Sequence, residues 1–278
     1  MPAAFCLDDF FTRHDTMIHP LTRRGSGRTP VRARCAAVCL ALALAAGIPP
    51  ASATAGPAGT TQSSIPDTIQ QRAKACTSCH GEHGEGAPDS TAGPRLAGKP
   101  AGYLLLQMRY FQSGQRRNAA MEYVLRLLDV TYMGKLAYFF ADQQVPYRQP
   151  PSPTASPAEL RRGERLALHG DPSIGVPACN SCHGTRLTGV QPLIPGLLGL
   201  SSDYLAAQLA SWRNRTRAAK EPFCMGVVAN RMYAADVDAV AAWLASQPPA
   251  ADMRPEPAGA QTTPLPGWCV MSGQGSKP

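Results

Sequence analysis

Two short segments of the chain carry cysteine and histidine at a spacing that suits chemistry at a bound cofactor. Residues 76–80 read CTSCH and residues 179–183 read CNSCH, so both follow the pattern Cys-x-x-Cys-His. In this pattern the two thiols add across the vinyl groups of a haem, and the histidine that follows coordinates the iron. The sequence therefore predicts two covalently attached c-type haems. The attaching residues are Cys76, Cys79, Cys179 and Cys182, and the proximal ligands are His80 and His183.

A zinc ion is the main alternative wherever cysteines occur in close pairs. One zinc shared by the two pairs would use all four thiols but would leave both histidines without a role. It would also have to draw the pairs together across residues 145–158, which contain five prolines. We therefore favour haem at both sites.

The two motifs lie in two copies of an internal repeat. Residues 94–111 match the second copy at a constant offset of 101 residues, so that PRLAG aligns with PGLLG. Beyond a three-residue insertion the offset becomes 104, and there Phe139 matches Trp243. Such a register is typical of two domains with the same architecture.

The repeat also selects the sixth iron ligand. An electron carrier needs both axial positions filled, and a methionine in that position raises the reduction potential. Met121 and Met225 match each other at the offset of 104. The other methionines within the matching segments align with leucine or valine in the opposite copy; they are Met108, Met133 and Met232. We therefore predict Met121 and Met225 as the distal ligands.

Other polar residues receive weaker predictions. His83 and His169 lie in glycine-rich segments and are expected to be exposed. Tyr103 and Tyr204 either hydrogen-bond haem propionates or only pack. Five arginines are expected to be solvated, with docking of an acidic partner as the alternative; they are Arg116, Arg117, Arg213, Arg215 and Arg217.

Helices must position these residues, because apolar residues recur at helical spacing and no useful strand-like alternation occurs. Residues 103–113 and 204–213 are predicted as one helix per copy, and residues 129–141 and 234–246 as closing helices. Residues 156–159, with the sequence SPAE, have the form of a capping box with proline at the first helical position. The predicted fold class is therefore all-α, with two tandem domains that each surround one haem.

Domain boundaries follow from changes in composition. Residues 64–144 and 159–247 are predicted as the two domains, and residues 145–158 as an extended linker that is not a packed element. Residues 248–278 form a tail rich in proline, glycine and alanine, in which we expect little regular structure. No clear pattern assigns this tail a role.

Residues 1–53 are predicted to be an export signal. Several arginines precede an apolar stretch at residues 35–46, and Ala51-Ser52-Ala53 offers a cleavage site. A retained anchor is the alternative, but the apolar stretch is short for a spanning helix. Acidic residues within 1–16 are untypical of such a signal, so Met17 is a second candidate for the first residue.

The basic composition does not indicate nucleic-acid binding. The chain has a formal net charge of +8, which falls to +5 without residues 1–53. The carboxylates of two haems would bring the protein close to neutrality. No nucleic acid is therefore expected among its partners.

The nine cysteines leave one pair for a disulfide. Three lie within residues 1–53 and four attach haem, so that Cys224 and Cys269 remain. In an oxidising compartment two such thiols are expected to pair. The alternative is two unpaired thiols, the second of them in a mobile tail.

Over residues 64–247 the chain resembles the diheme class I cytochromes c of the cytochrome c4 type. The shared order is CxxCH, P-x-L-x-G, Y-L-x-x-Q, a methionine and a closing helix. The resemblance implies an all-α cytochrome c fold for each domain. It also implies that the loops at Pro94 and Pro195 supply a carbonyl to the Nδ1–H of each proximal histidine. The tail and the cysteine directly before Met225 depart from the family pattern.

The family carries electrons in the bacterial periplasm, so the resemblance implies a periplasmic one-electron carrier with no catalytic residues. Its expected partners are redox proteins: an oxidase, a dehydrogenase or a quinol-oxidising complex, with membrane association only through them. An electron-transfer subunit of a dehydrogenase is the alternative. A diheme peroxidase is less favoured, because it would need an open or histidine-ligated iron, whereas both copies offer methionine.

Overall fold

Helices form almost all of the regular structure in the residues that the computed structural model describes, which are 67–87, 92–217, 224–260 and 266–269. They are α1 (Ile69–His80), α2 (Ala101–Gln112), α3 (Ala119–Leu125), α4 (Val130–Ala141), α5 (Pro157–Leu168), α6 (Cys179–His183), α7 (Ser202–Arg213), α8 (Cys224–Arg231) and α9 (Ala234–Ser246). A short 3₁₀ helix (Pro172–Ile174) precedes α6. The fold is all-α, as the sequence predicts.

A small antiparallel ladder between α6 and α7 was not predicted. It consists of β1 (Gly189–Val190) and β2 (Ile194–Pro195), with Gly189 opposite Pro195 and Val190 opposite Ile194. Strands of two residues are too short to show the alternation by which a sequence reveals a strand. Pro195 is the last residue of β2, so the ladder fixes its position.

Side-chain caps fix where several helices begin. The Ser156 hydroxyl accepts the backbone N–H of Glu159 at 3.3 Å, and the Glu159 carboxylate accepts the N–H of Ser156 at 2.7 Å. This is the predicted capping box, and Pro157 is the first residue of α5. Asp129 caps α4 in the same manner, by accepting the N–H of Tyr132 at 2.8 Å. Because such caps satisfy backbone donors that have no partner within the helix, they can be recognised in sequence.

Each copy of the repeat has its own apolar core. The first lies among α1 to α4, and its most deeply buried members include Leu125, Met133 and Leu136. The second lies among α5 to α9, and its most deeply buried members include Leu166 and Val240. The two cores therefore follow the repeat that the sequence shows.

Some predictions concern residues or boundaries that the structure does not test. The predicted export signal, residues 1–53, lies outside the described ranges. Within those ranges, none of the helices is long and apolar enough to cross a membrane. The domain boundaries at residues 64–144 and 159–247 stay predictions.

Residues 145–156, within the predicted linker, form no helix or strand, and other parts of the chain bind their backbone and side chains. Arg95 donates to the backbone carbonyls of Val145 and Pro146, at 2.5 and 3.2 Å. The same guanidinium stacks on the ring of Tyr147, 3.7 Å from its centroid. Further along, the Gln149 amide donates to the carbonyl of Ala245 at 3.1 Å. Irregular backbone bound by individual side chains leaves no periodic pattern in a sequence.

The tail also packs against the second copy, although its residues 248–260 form no helix. Glu256 is buried, and its carboxylate accepts the backbone N–H groups of Thr185 and Arg186 at 3.2 and 2.8 Å. Its backbone exchanges two hydrogen bonds of 2.8 Å with the β1 region, at Gly189 and Gln191. The tail thus joins the loop that follows α6.

Helices α5 and α9 cross at close range because Gly163 has no side chain. A Cβ atom at this position would lie 2.1 Å from the carbonyl oxygen of Ala239 and 2.6 Å from the Cβ of Trp243. A backbone oxygen cannot move aside as a flexible side chain can. The crossing therefore depends on glycine.

We predict that Gly163→Ala lowers the free energy of unfolding by about 2 kcal/mol or more, because it overpacks a helix crossing. Gly134→Ala is the matched control: Gly134 is also helical, but nothing lies within 4 Å of its Cβ position. There the gain in helix propensity should stabilise by about 0.5–1 kcal/mol. Urea unfolding of the holoprotein measures both values. Equal effects of the two variants would contradict the proposed crossing.

Candidate haem sites

The two CxxCH motifs occupy equivalent helical positions. The first forms the last turn of α1, and the second forms the whole of α6. The two cysteines of each motif are three residues apart, so they lie on the same side of a helical turn. None of the four is in a disulfide; Cys79 is exposed and the other three are half-buried. Each pair is therefore available to bond a single flat ligand.

Each proximal histidine is buried, and a proline carbonyl fixes its ring. The distance from His80 Nδ1 to the carbonyl oxygen of Pro94 is 2.7 Å, and from His183 Nδ1 to that of Pro195 it is 2.8 Å. When Nδ1 donates this bond, the lone pair of Nε2 is left free to bind iron. These are the two contacts that the resemblance implied.

The electrostatics of the histidines suit metal binding. Burial lowers the pKa of both His80 and His183, against the opposing effect of the hydrogen bonds to Pro94 and Pro195. Both imidazoles are therefore neutral at neutral pH, which is the form that coordinates a metal. The residues present thus fit a c-type haem: two thiols and one oriented, neutral imidazole at each site.

The zinc alternative does not fit the structure. Among the described residues, no group of three or more histidine, cysteine or acidic side chains lies close enough to hold a metal ion. The two cysteine pairs therefore act separately.

The predicted distal ligands lie at matching places. Met121 is in the first turn of α3, where the Asn118 side chain accepts its backbone N–H at 3.1 Å. Met225 is in the first turn of α8. Both are half-buried against the core of their own copy, whereas Met133 and Met232 are buried within those cores. The assignment of Met121 and Met225 stays a prediction. His83 and His169 are exposed, as expected.

The prediction that Arg116 and Arg217 are solvated is wrong. Their backbones form an antiparallel bridge between the two copies. Arg116 donates to the amide oxygens of Gln107 and Gln208, at 2.9 and 2.8 Å. Arg217 donates to the same two oxygens, at 3.0 and 2.7 Å. The available signal was the repeat, because both pairs match at the offset of 101. The remaining arginines of that group are exposed; they are Arg117, Arg213 and Arg215.

We call the group around these arginines the junction cluster; it comprises Lys99, Tyr103, Gln107, Arg116, Gln208 and Arg217. Lys99 and Arg217 are only 8% and 6% exposed. The Tyr103 hydroxyl oxygen accepts a hydrogen bond of 3.0 Å from Arg217. Burial alone would raise the pKa of Tyr103, but the positive charges of Arg217, Arg116 and Lys99 outweigh it and lower this pKa to about 8. The junction is therefore a strongly positive region.

The predicted disulfide is present in the structure. Cys224, the first residue of α8, is bonded to Cys269, and their Cα atoms are 4.9 Å apart. The neighbouring Trp268 ring lies under the guanidinium of Arg231, 4.8 Å away, at the other end of α8. Residues 268 and 269 therefore contact both ends of the helix that carries Met225.

Comparison with known proteins places the chain among diheme cytochromes. No family model matches it. It is 41% identical over 176 residues to a thiosulfate dehydrogenase electron acceptor of Thiomonas intermedia, covering 63% of this chain and 80% of the relative. It is 30% identical over 178 residues to a cytochrome c4 of Pseudomonas aeruginosa, covering 63% and 85%. The chain belongs to the cytochrome c4 family.

Solved structures agree with this assignment. A cytochrome c4 of Acidithiobacillus ferrooxidans matches with a TM-score of 0.52 and 28% identity, covering 62% of this chain and 99% of that one. A thiosulfate dehydrogenase of Marichromatium purpuratum matches with a TM-score of 0.55 and 31% identity, but this chain spans only 36% of its length. As a cytochrome c4-like protein, the chain consists of two tandem cytochrome c domains with two covalently bound haems. It transfers electrons to or from other redox proteins and is not itself an enzyme.

We predict that Met121→Ala and Met225→Ala each convert one haem to a high-spin or alternatively ligated form. Loss of the methionine should lower the potential of that haem by about 59 mV or more, a tenfold change in its ratio of oxidised to reduced forms. The far-red methionine–iron band and a redox titration measure the two effects. Met108→Leu, at a half-buried methionine of α2, is the control and should leave both haems unchanged. A variant that keeps its full far-red band has not lost a ligand.

The disulfide is expected to stabilise the folded protein. It closes a loop between residues 45 positions apart, which corresponds to about 4 kcal/mol in the chain-entropy model, an upper value if the unfolded chain is compact. Cys224→Ser and Cys269→Ser should each lower the free energy of unfolding by about 2–4 kcal/mol. The double variant should lose no more than one single variant, because both remove the same bond. Additive losses would show that the two cysteines stabilise the protein separately.

Proposed function

We propose that this cytochrome accepts electrons from a thiosulfate-oxidising dehydrogenase in the periplasm. The observation that carries the proposal is the 41% identity to a thiosulfate dehydrogenase electron acceptor, against 30% to the cytochrome c4 of Pseudomonas aeruginosa. The match to part of a thiosulfate dehydrogenase chain supports the same partner. Of the functions considered from sequence, this favours an electron-transfer subunit of a dehydrogenase over a general carrier.

The haem-binding residues have separate roles in this proposal. A c-type haem at each site would supply an iron that can take up and release one electron. Cys76, Cys79, Cys179 and Cys182 attach the haems. His80 and His183, whose rings the proline carbonyls hold, would bind the iron through Nε2, and Met121 and Met225 would be the second ligands. Filled axial positions keep small molecules from the iron, which suits electron transfer and not peroxidase chemistry.

The first copy exposes an apolar face beside its predicted methionine ligand. Tyr123 is 66% exposed and Leu127 is 82% exposed, and Val124 and Val130 are exposed next to them. Residues 123–130 thus expose four large apolar side chains close together in sequence, whereas single exposed apolar residues are usual on a protein surface. We call these four residues the α3 face.

The second copy shows what covers such a face. Leu127 matches Arg231 at the offset of 104, and Arg231 lies over Trp268 of the tail. The disulfide between Cys224 and Cys269 holds the tail there. A segment of the tail thus covers part of the α8 helix, whereas the matching part of the first copy keeps Tyr123 and Leu127 largely exposed among the described residues. We propose that the dehydrogenase docks on the α3 face.

Export to the periplasm is supported by two separate features. Residues 1–53 have the composition of an export signal. The Cys224–Cys269 disulfide suits an oxidising compartment, whereas the cytosol keeps thiols reduced. The mass of protein isolated from the periplasm would report whether residues 1–53 have been removed. Recovery of the full-length chain in the cytosol would contradict this location.

We predict that a purified bacterial thiosulfate dehydrogenase reduces both haems of this protein when thiosulfate is added. The haem absorption bands follow the reaction, and omission of thiosulfate or of the dehydrogenase gives the controls. A purified quinol-oxidising complex with quinol should reduce it more slowly under the same conditions. Failure of the dehydrogenase combined with fast reduction by the quinol-oxidising complex would favour the general carrier.

We further predict that Leu127→Ser slows reduction by the dehydrogenase about tenfold at low cytochrome concentration, because the few residues that dominate an interface lie near its centre and a loss of about 1.4 kcal/mol is a tenfold change. Tyr138→Ser is the matched control, because Tyr138 is also exposed and apolar but lies outside the α3 face. Chemical reduction by dithionite should be equally fast in both variants. Equal rates with the dehydrogenase would place its docking site elsewhere.

A further inference from the structure

A glutamate carboxylate lies against the turn that follows each proximal histidine. In the first copy it belongs to Glu85, whose Oε2 would lie 2.6 Å from a Cβ atom on Gly81 and accepts the backbone N–H of His83 at 2.8 Å. In the second copy it belongs to Glu256, whose Oε1 would lie 2.9 Å from a Cβ atom on Gly184. These two glycines directly follow the proximal histidines. The two carboxylates therefore contact corresponding turns of the two copies.

The two glutamates come from different parts of the chain. Glu85 belongs to the loop that it contacts, whereas the matching loop of the second copy, residues 184–194, contains no acidic residue. At the 103-residue spacing of the two CxxCH motifs, Glu85 aligns with Thr188, whose buried hydroxyl has no hydrogen-bond partner in the described part of the chain. The second copy receives its carboxylate from the tail instead.

Glu256 binds both ends of this loop. Its carboxylate accepts the backbone N–H groups of Thr185 and Arg186 at 3.2 and 2.8 Å, and the Thr185 hydroxyl at 3.1 Å. Its own N–H donates to the carbonyl of Gly189, and its carbonyl accepts the N–H of Gln191, both at 2.8 Å. One residue of the tail thus connects the turn after α6 with β1.

These are the two ends on which the hydrogen bond of His183 depends. Thr185 lies two residues after His183, and Gly189 of β1 is paired with Pro195 of β2. The His183 Nδ1 and the carbonyl oxygen of Pro195 are 2.8 Å apart. A shift of the turn relative to β1 would therefore move the proline carbonyl away from the imidazole ring.

The position of Glu256 depends on these contacts in return. The residue is only 6% exposed, and a buried carboxylate is stable only when hydrogen bonds or a cation compensate its charge. The Nε of Arg186 lies 3.5 Å from its Oε1 and adds such a cation. The tail and the loop therefore hold one another in place.

We propose that Glu256 is a positioning residue for the second haem: from the tail, it holds the loop that sets the hydrogen bond between His183 and Pro195. In the first copy, Glu85 has the corresponding role for His80. The orientation of each imidazole sets the direction of the Nε2 lone pair that would bind iron. The proposal concerns the haem sites and not the identity of the redox partner. Its test needs no dehydrogenase, so its failure would leave the proposed function untouched.

The test compares two matched substitutions in the holoprotein with two haems. Glu256→Gln and Glu85→Gln each replace a carboxylate oxygen by an amide NH₂ group, which cannot accept a hydrogen bond from a backbone N–H. In reduced protein labelled with nitrogen-15 at histidine, NMR follows hydrogen exchange of the two buried Nδ1–H protons. Glu256→Gln should accelerate exchange of one proton at least about tenfold, because hydrogen bonds to a charged acceptor no longer hold its loop closed. Glu85→Gln should accelerate exchange of the other.

Glu164→Gln is the control, because Glu164 is an exposed carboxylate on α5 of the second copy. It should change neither exchange rate by more than about twofold, as is usual for surface substitutions. If Glu256→Gln gives too little holoprotein, Thr185→Val removes only the hydroxyl contact to Glu256. This variant should accelerate exchange of the proton that Glu85→Gln leaves unchanged.

A second measurement reports the orientation of the ligands. Each ferric low-spin haem gives an electron paramagnetic resonance signal whose g values depend on how its axial ligands are oriented. Glu256→Gln should shift one signal and Glu85→Gln the other. Equal acceleration of both protons by Glu256→Gln would show a loss of overall stability and would overturn the proposal. Unchanged exchange rates and g values in Glu256→Gln would overturn it too, as would a shift of the same signal by both variants.

Discussion

The hydrogen bond from each proximal histidine to a proline carbonyl constrains the whole region around the haem sites. It requires the chain to leave the helix directly after the histidine and to return a carbonyl to the ring. Gly81 and Gly184 follow the two histidines with φ of +87° and +86°, a conformation that glycine adopts without strain. The helix that carries the cysteines must therefore end at the histidine. The orientation of the histidine ring, and with it the direction of the Nε2 lone pair, follows from that turn.

Sequence reasoning found the parts of this arrangement that depend on local spacing. The cysteines and the histidine of each motif lie within one helical turn, so their chemistry can be read from five consecutive residues. The predicted cap at Ser156 and the predicted pairing of Cys224 with Cys269 are likewise properties of few residues, and both are confirmed. What such reasoning could not supply is how irregular segments pack. Arg95 binds the linker, and Glu256 of the tail binds the loop after α6, through individual hydrogen bonds that follow no sequence period.

The error at Arg116 and Arg217 has a different origin. An arginine at the end of an amphipathic helix is usually solvated, and each of these follows such a helix by only a few residues. The contact that buries them is made between the copies, more than ninety residues apart in sequence for Arg116 and Gln208. Long-range contacts of this kind are invisible to local patterns. Equal spacing of arginine and glutamine in both copies was the only available sign.

The hydrogen bonds that join the two copies are reciprocal. They connect Arg116 and Arg217 with Gln107 and Gln208. Each arginine contacts both glutamines, so exchanging the two copies leaves the set of contacts unchanged. This is the form of an isologous interface, in which one patch is complementary to itself and two-fold symmetry closes the assembly. A first domain produced alone would present Arg116 and Gln107 to solvent on such a patch. Two copies of it could then associate across a two-fold axis as the two domains do within this chain, which makes the single-chain protein a covalent counterpart of a symmetric homodimer.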